Sequence, residues 1–200
     1  MPEPEYRLFA DAYLSALVPV AGTIRRIDEP QGFYRLHGRN NYLEKPFDEM
    51  LRLGCAVYEK QCAALSNYLA GTGVRGDVSR WMSESWWHRI RRSVQMIERL
   101  IPPADAFILV DDDQWATDEF VAGRRRIPFL EQTGRYWGPP PDDTTALLEL
   151  ERLRGSGARW IVFAWPSFWW LDYYGELYRN LDTRYRCTHA DDSSIIFDLR

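Results

Sequence analysis

From Pro102 onward the apolar residues fall into short unbroken runs separated by stretches of helical spacing, and this alternation constrains the fold more than any other feature of the chain. Ala106 to Val110 is a continuous β-prone run ending abruptly in Asp111-Asp112-Asp113, the pattern of a strand covered on both faces and followed by an acidic loop. Arg126 to Leu130 is a second short strand candidate. Gly138-Pro139-Pro140-Pro141 has to be a loop, because its prolines lack the donors that a helix or central strand needs. Asp142-Asp143 then precedes a helix over Thr144 to Arg154, with Asp143 expected as its N-cap and Gly155 just past its end. A strand over Trp160 to Phe163, a loop at Pro166, a helix from about Ser167 to Leu181, and strands Tyr185 to His189 and Ser194 to Leu199 around a turn at Asp191-Asp192 complete the pattern. Such alternation predicts an α/β fold: a small, Rossmann-like, mainly parallel sheet with flanking helices and an antiparallel pair at its end.

The residues before Pro102 read differently. Leu8, Phe9, Tyr13, Leu14, Leu17 and Val18 recur at three- and four-residue spacing, predicting one helix from Pro4 to Val18 that Pro19 and Gly22 end. Two β-like runs, Thr23 to Ile27 and Gly32 to Leu36, flank a turn at Asp28-Glu29-Pro30-Gln31. These elements are too few to enclose a core, so residues 1–45 read as the edge of something larger and should leave apolar surface exposed. Phe47 to Leu69 predicts a long amphipathic helix stopped by Gly71-Thr72-Gly73, and Val78 to Leu100 predicts a second, the two forming a helical hairpin. The expected organisation is therefore residues 1–45, a helical connector over 46–101, and the α/β module over 102–200.

A formal charge of −4 and a pI near 5.5 supply no field that would gather phosphate backbones, which excludes nucleic acid as an expected partner. Cys55 and Cys62 lie seven apart in a helical pattern, beyond disulfide reach, and no CxxC pair or signal-peptide pattern is present, so a cytoplasmic location is expected. The longest apolar run, Trp160 to Leu171, is interrupted by Pro166 and falls short of the ~20 residues of a membrane span. The nine tryptophans, with pairs at Trp86-Trp87 and Trp169-Trp170, suit either core packing or stacking on sugar rings.

Several segments in order resemble a known family. Pro4-Glu5-Tyr6-Arg7, Ala10-Asp11-Ala12-Tyr13-Leu14, Ile27-Asp28-Glu29-Pro30, Tyr34-Arg35-Leu36-His37-Gly38 and Asn40-Asn41 resemble the final segment of the GT-A catalytic domain of bacterial family 2 glycosyltransferases. Phe107 to Asp113, Trp137-Gly138-Pro139, Phe163-Ala164-Trp165-Pro166, Phe168-Trp169-Trp170-Leu171-Asp172 and Phe197-Asp198-Leu199-Arg200 look like the small Rossmann-like module that follows this domain in some such enzymes. The resemblance implies glycosyl transfer from a nucleotide sugar in glycan biosynthesis, with family-motif residues Tyr34, Arg35, Gly38, Asn40 and Asn41, and with His37 near the metal and diphosphate. The family's donor-binding elements and catalytic carboxylate lie N-terminal to the matched segment. The chain is then expected to be a C-terminal fragment or subunit that is not catalytic by itself and whose partner is the GT-A half. No cofactor is certain; Mn²⁺ or Mg²⁺ would belong to a complete enzyme.

Within the α/β module, ligands are expected outside the carboxyl ends of the strands, which would gather Asp111, Asp112, Asp113, Trp115 and Trp165. The acids resemble a metal-clamping Asp-x-Asp, yet strand-end acids are also common turn formers and helix caps. No GxGxxG follows the first strand and no GxSxG elbow occurs, which argues against dinucleotide and Ser-His-Asp chemistry. His88-Arg89-Ile90-Arg91-Arg92 beside Trp86-Trp87 suits either a solvated face or peripheral contact with anionic lipid, and Arg124-Arg125-Arg126 reads as a solvated loop end. The alternative to a glycosyltransferase fragment is a free-standing, non-catalytic α/β module that binds a protein or a glycan through its tryptophans.

Overall fold

The computed structural model describes residues 10–32, 45–115 and 119–200. The chain divides into two compact units, Met1–His88 and Arg89–Arg200.

In the first unit, helix α1 spans Ala10–Ala21 and runs through Pro19, where the sequence predicted a stop. A proline this near the end removes a single donor, and the Gly22 N–H closes the turn onto the Val18 carbonyl at 3.1 Å. Residues 22–32 form no strand, which corrects the expectation for Thr23 to Ile27. A β-prone run needs a ladder partner, and this one has none among the described residues. The Gly32 to Leu36 run and the motif residues Tyr34, Arg35, His37, Gly38, Asn40 and Asn41 lie outside the described residues. Leu14, Val18, Val20, Ile24 and Ile27 are exposed, in keeping with the expected apolar surface.

Helix α2 spans Phe47–Gly71, with Asp48 and Glu49 in its first turn, where carboxylates favour the helix dipole. The Thr72 hydroxyl and the Val74 N–H both donate to the Leu69 carbonyl, and Gly73 takes the positive φ (81°) that ends the helix. The predicted helix over Val78 to Leu100 is two helices, α3 (Val78–Glu84) and α4 (Trp86–Leu100), parted at Ser85. Ser85 is extended (φ −72°, ψ 149°), and its hydroxyl accepts the His88 N–H at 3.2 Å, so a serine caps a new helix instead of continuing the old one. Asp77 caps α3 in the same way, through the Arg80 N–H at 3.0 Å.

The second unit contains β1 (Ala106–Val110), β2 (Phe120–Val121), β3 (Arg124–Pro128), β4 (Glu131–Gln132), β5 (Arg135–Tyr136), α5 (Asp143–Gly155), β6 (Ala158–Ala164), a 3₁₀ turn (Trp165–Ser167), α6 (Trp169–Tyr173), α7 (Gly175–Arg184), β7 (Arg186–Ala190) and β8 (Ser194–Asp198). Six strands form one mixed sheet in the order β2-β3-β1-β6-β8-β7. The centre is parallel, with Phe107 opposite Arg126 on one side and Ile108 opposite Ile161 on the other, while β2, β8 and β7 join antiparallel. The α/β fold read from the alternation is present, with a parallel core and antiparallel margins. Phe107 to Val110 and Ile161 to Ala164 lose all contact with solvent, as strands covered on both faces must. Leu150 and Leu153 of α5, Trp170 of α6, and Leu177 and Leu181 of α7 complete one core against the sheet.

Four local details depart from the sequence reading. The helix expected from about Ser167 to Leu181 is a 3₁₀ turn and two helices, α6 and α7, parted at Tyr174, whose φ and ψ (−94° and 73°) are not helical. Asp142, not Asp143, caps α5, accepting the Thr145 N–H at 2.7 Å. Asp143 instead caps a different helix, its Oδ1 accepting the Glu176 and Leu177 N–H groups at the start of α7 (3.0 and 2.9 Å). Arg124, expected in a solvated loop end, is a buried residue of β3 whose guanidinium donates to the Glu98 and Ile101 carbonyls at the end of α4 (2.7 and 2.8 Å). Those carbonyls are the unpaired acceptors of a helix terminus, and a cation there also matches the dipole.

Candidate functional site

The chain passes from β1 to β3 on one side of the sheet and reaches β6 on the other, so the carboxyl end of β1 is the place where successive connections diverge. In α/β sheets the crevice at such a point is where ligands bind. Asp111, Asp112 and Asp113 leave β1 there, and Trp165 leaves β6.

The three acids have three different environments. Asp111 is buried, and its carboxylate accepts the N–H groups of Asp113 (3.2 Å) and Trp115 (3.0 Å) in the turn that its own carbonyl closes onto Gln114. Burial pushes its carboxyl up to about 6, against the opposing effects of those N–H groups and of Arg126. Asp112 and Asp113 both adopt positive φ (53° and 56°), a conformation that Asp tolerates better than most side chains. The turn aims Asp112 at the aromatic residues. Its Oδ1 accepts the Tyr136 hydroxyl (3.1 Å) and the Trp170 indole N–H (3.0 Å), and its Oδ2 accepts the Trp169 indole N–H (3.0 Å). Burial first, and the neighbouring Asp112 carboxylate next, raise the Tyr136 phenol above its ordinary range. Asp113 is more open and lies 3.8 Å from the Arg126 guanidinium.

The structure therefore brings together all five of the strand-end residues singled out in the sequence and separates their roles. Trp115 and Trp165 face each other with ring centroids 6.2 Å apart, and Arg89 lies 5.9 Å from the Trp165 ring. Trp115 is buried beneath the Asp111 turn, whereas Trp165 is half-buried. Tyr136, Trp169 and Trp170, which complete the shell around Asp112, were not among the site residues read from the sequence. The Trp169-Trp170 doublet was the available signal, because adjacent indoles on a short helix can both turn their N–H groups toward one carboxylate. Trp169 and Tyr173 remain exposed, with centroids 5.8 Å apart, while Trp170 and Tyr174 are buried behind them. No family model, curated protein or solved structure matches the chain.

These acids do not fit a metal clamp. Both oxygens of Asp112 already accept N–H or O–H groups, and both oxygens of Asp111 accept backbone N–H groups. No cluster of three or more His, Cys, Asp or Glu side chains suited to a metal occurs among the described residues. His37, placed near a metal by resemblance, lies outside the described residues.

In the first unit a serine, a histidine and a glutamate fall in line: Ser85 Oγ is 2.7 Å from His88 Nδ1, and His88 Nε2 is 3.1 Å from Glu59 Oε1. The order resembles a nucleophilic relay, but Ser85 Oγ also accepts the His88 N–H and is buried as the cap of α4. The hydroxyl is thus held inside the fold by the backbone it caps. The trio is a structural tie between α2 and the Ser85 break. No helix among the described residues is long and apolar enough to cross a membrane.

Proposed function

We propose that the chain is the C-terminal portion of a family 2 type glycosyltransferase that contributes surface and stability for glycosyl transfer from a nucleotide sugar, and not the transfer chemistry itself. The observation that carries this reading is the exposure of Leu14, Val18, Val20, Ile24 and Ile27, all within the segment whose motifs resemble the closing edge of a GT-A domain. Leu14, Val18 and Val20 lie on α1 and Ile24 and Ile27 just beyond it, and exposed apolar side chains gathered in one segment favour cover by further protein. Its natural cover is the donor-binding half of the same fold, where Mn²⁺ or Mg²⁺ would also reside. The engaged carboxylates at the end of β1 support a scaffolding role for the α/β unit.

The test has two arms. Sequencing immediately upstream is expected to show an in-frame or neighbouring donor-binding half with an Asp-x-Asp motif, and an unrelated neighbourhood counts against the reading. The purified 200-residue chain, given Mn²⁺ and a panel of uridine, guanosine and thymidine diphosphate sugars, is expected to release no nucleotide. Release that Asp111→Asn abolishes would overturn the proposal.

A second reading has its own support in the exposed pair Trp169 and Tyr173. A ring fixed through its N–H to Asp112 presents a rigid apolar face, as an aromatic contact for a glycan or a protein requires. On this reading the α/β unit is a non-catalytic binding module, and Tyr173→Ala, at a more exposed ring, weakens binding while the unit stays folded.

A further inference from the structure

Trp169, Asp172 and Tyr173 fall at positions i, i+3 and i+4 of α6, so they share one face of this short helix, and all three are exposed. The Trp169 ring is fixed through its N–H to Asp112 Oδ2 and meets Tyr173 at 65° and Tyr174 at 43°. Ring centroids are 5.8 Å apart for Trp169 and Tyr173, 6.0 Å for Trp169 and Tyr174, and 4.9 Å for Tyr173 and Tyr174. Rings this close touch one another, so a ligand has to lie flat on their outer faces.

The charged groups around this face are all acceptors. Asp172 shares the face, Asp112 holds the Trp169 N–H, and Asp142 and Asp143 stand at the start of α5. Burial first, and then Tyr173, Asp112, Asp143 and Asp142, raise the Tyr174 phenol above its ordinary range, which places these acids around the same aromatic cluster. Asp112, Asp142 and Asp143 accept only neutral N–H and O–H groups, and none of the four carboxylates makes an ion pair with a described residue. Elsewhere in the same unit, an aromatic ring beside a carboxylate carries an arginine. Arg200 lies 4.9 Å from the Trp160 ring centroid and pairs with both oxygens of Asp198 (2.8 and 2.6 Å). Arg184 lies 5.5 Å from Tyr185 and donates to Glu151 at 3.1 Å, and Arg89 lies 5.9 Å from Trp165 and 3.9 Å from Asp192. Trp169 and Tyr173, with Asp172 beside them, have no such cation among the described residues.

This chemistry selects a planar ligand that only donates. A guanidinium stacks flat on an aromatic face and offers five N–H donors and no acceptor. A sugar hydroxyl has lone pairs that call for donors, which carboxylates do not supply. A methylated ammonium is held by an enclosing aromatic cage, which touching rings do not form. We propose that the face of Trp169, Asp172 and Tyr173 docks an arginine side chain of a partner protein, the guanidinium lying over the exposed rings with its N–H fork on Asp172. The inference rests on the second reading above, that this face is a binding surface, and it names a protein and not a glycan as the occupant.

The test is an amide- and indole-resolved NMR titration of the 200-residue chain with an acetylated, amidated glycine-serine peptide that carries two arginines. The same peptide with lysine or citrulline in their place, and the neutral glycans cellotriose and chitotriose, are the comparisons. The arginine peptide is expected to saturate, shifting the Trp169 indole and the Asp172 and Tyr173 amides, and to bind less tightly as salt is raised. Lysine should weaken binding several-fold and citrulline by about tenfold. Asp172→Asn should weaken it by about tenfold, the loss of one charge-assisted hydrogen bond, and Tyr173→Ala by about threefold, with circular dichroism confirming that both variants stay folded. Equal binding of the arginine and citrulline peptides, shifts away from α6, or a folded Asp172→Asn variant that binds as tightly as the parent overturns the proposal. Saturation of this face by a glycan and not by the arginine peptide also overturns it while leaving the face a binding surface, and a face that no probe shifts ends both.

Discussion

Asp112 holds one carboxylate against three aromatic donors, and its replacement separates the hydrogen-bond contribution from that of the backbone. In Asp112→Ala the Trp170 indole N–H, on a fully buried ring, loses its acceptor at a cost of roughly 1–3 kcal/mol, whereas the Trp169 N–H can turn to water. The half-buried Tyr136 hydroxyl adds about 1 kcal/mol. Holding Ala at φ 53° adds about another 1 kcal/mol, because its Cβ has no compensating local hydrogen bond. The sum is about 3–5 kcal/mol, a fall in Tm of roughly 10 °C or more for a unit of this size. Asp112→Gly restores the backbone freedom and removes only the acceptor, so it should cost about 1 kcal/mol less than Ala. Asp112→Asn keeps an oxygen for Trp170 and Tyr136 and tolerates the positive φ, and should cost about 1 kcal/mol. Urea unfolding followed by tryptophan fluorescence and near-ultraviolet circular dichroism measures the series. An order other than Asn, Gly, Ala in increasing cost, or an Ala variant as stable as the parent, refutes the account of Asp112 as the tie that binds α6 to the sheet.

Two further outcomes are expected. Asp111 has a folded-state pKa of about 6, above its unfolded value, so the folded state binds the extra proton and stability falls as pH rises from about 4 to about 6, by roughly 3 kcal/mol; pH-dependent urea unfolding should show this slope, and Asp111→Asn should flatten it. At Gly54 an added Cβ would lie 2.2 Å from the Trp87 ring, so Gly54→Ala should destabilise the first unit by about 1–3 kcal/mol despite the better helix propensity of Ala, and Trp87→Leu should relieve much of that cost in a double-mutant cycle.

The elements legible in the sequence are those whose residues are specified by one environment along their whole length. β1 and β6 are buried on both faces and read as unbroken apolar runs, and α5 carries both an acidic start and a glycine near its end. The elements that escaped are two-residue strands, too short to show a period. Their hairpins also use weak turn signals: Ala122-Gly123 joins β2 to β3 and Thr133-Gly134 joins β4 to β5, all four residues at positive φ, where Asn-Gly would have been conspicuous. The break at Ser85 depends on one hydroxyl bonding its own backbone, which helical periodicity cannot register. At the candidate site the acids and Trp165 followed from strand ends alone. The shell of Tyr136, Trp169 and Trp170 did not, because it converges on Asp112 from elements more than twenty residues away in sequence.

The rims of the sheet have a bearing on how the protein behaves when concentrated. One outermost strand, β2, is only two residues long, and the other, β7, carries Arg186, Thr188 and His189 and an irregular register between Cys187 and His189. Neither offers a long flat template for a strand from another molecule. Backbone-to-backbone polymerisation is thus blocked at both flanks, and crowding should leave the α/β unit unaggregated through its sheet.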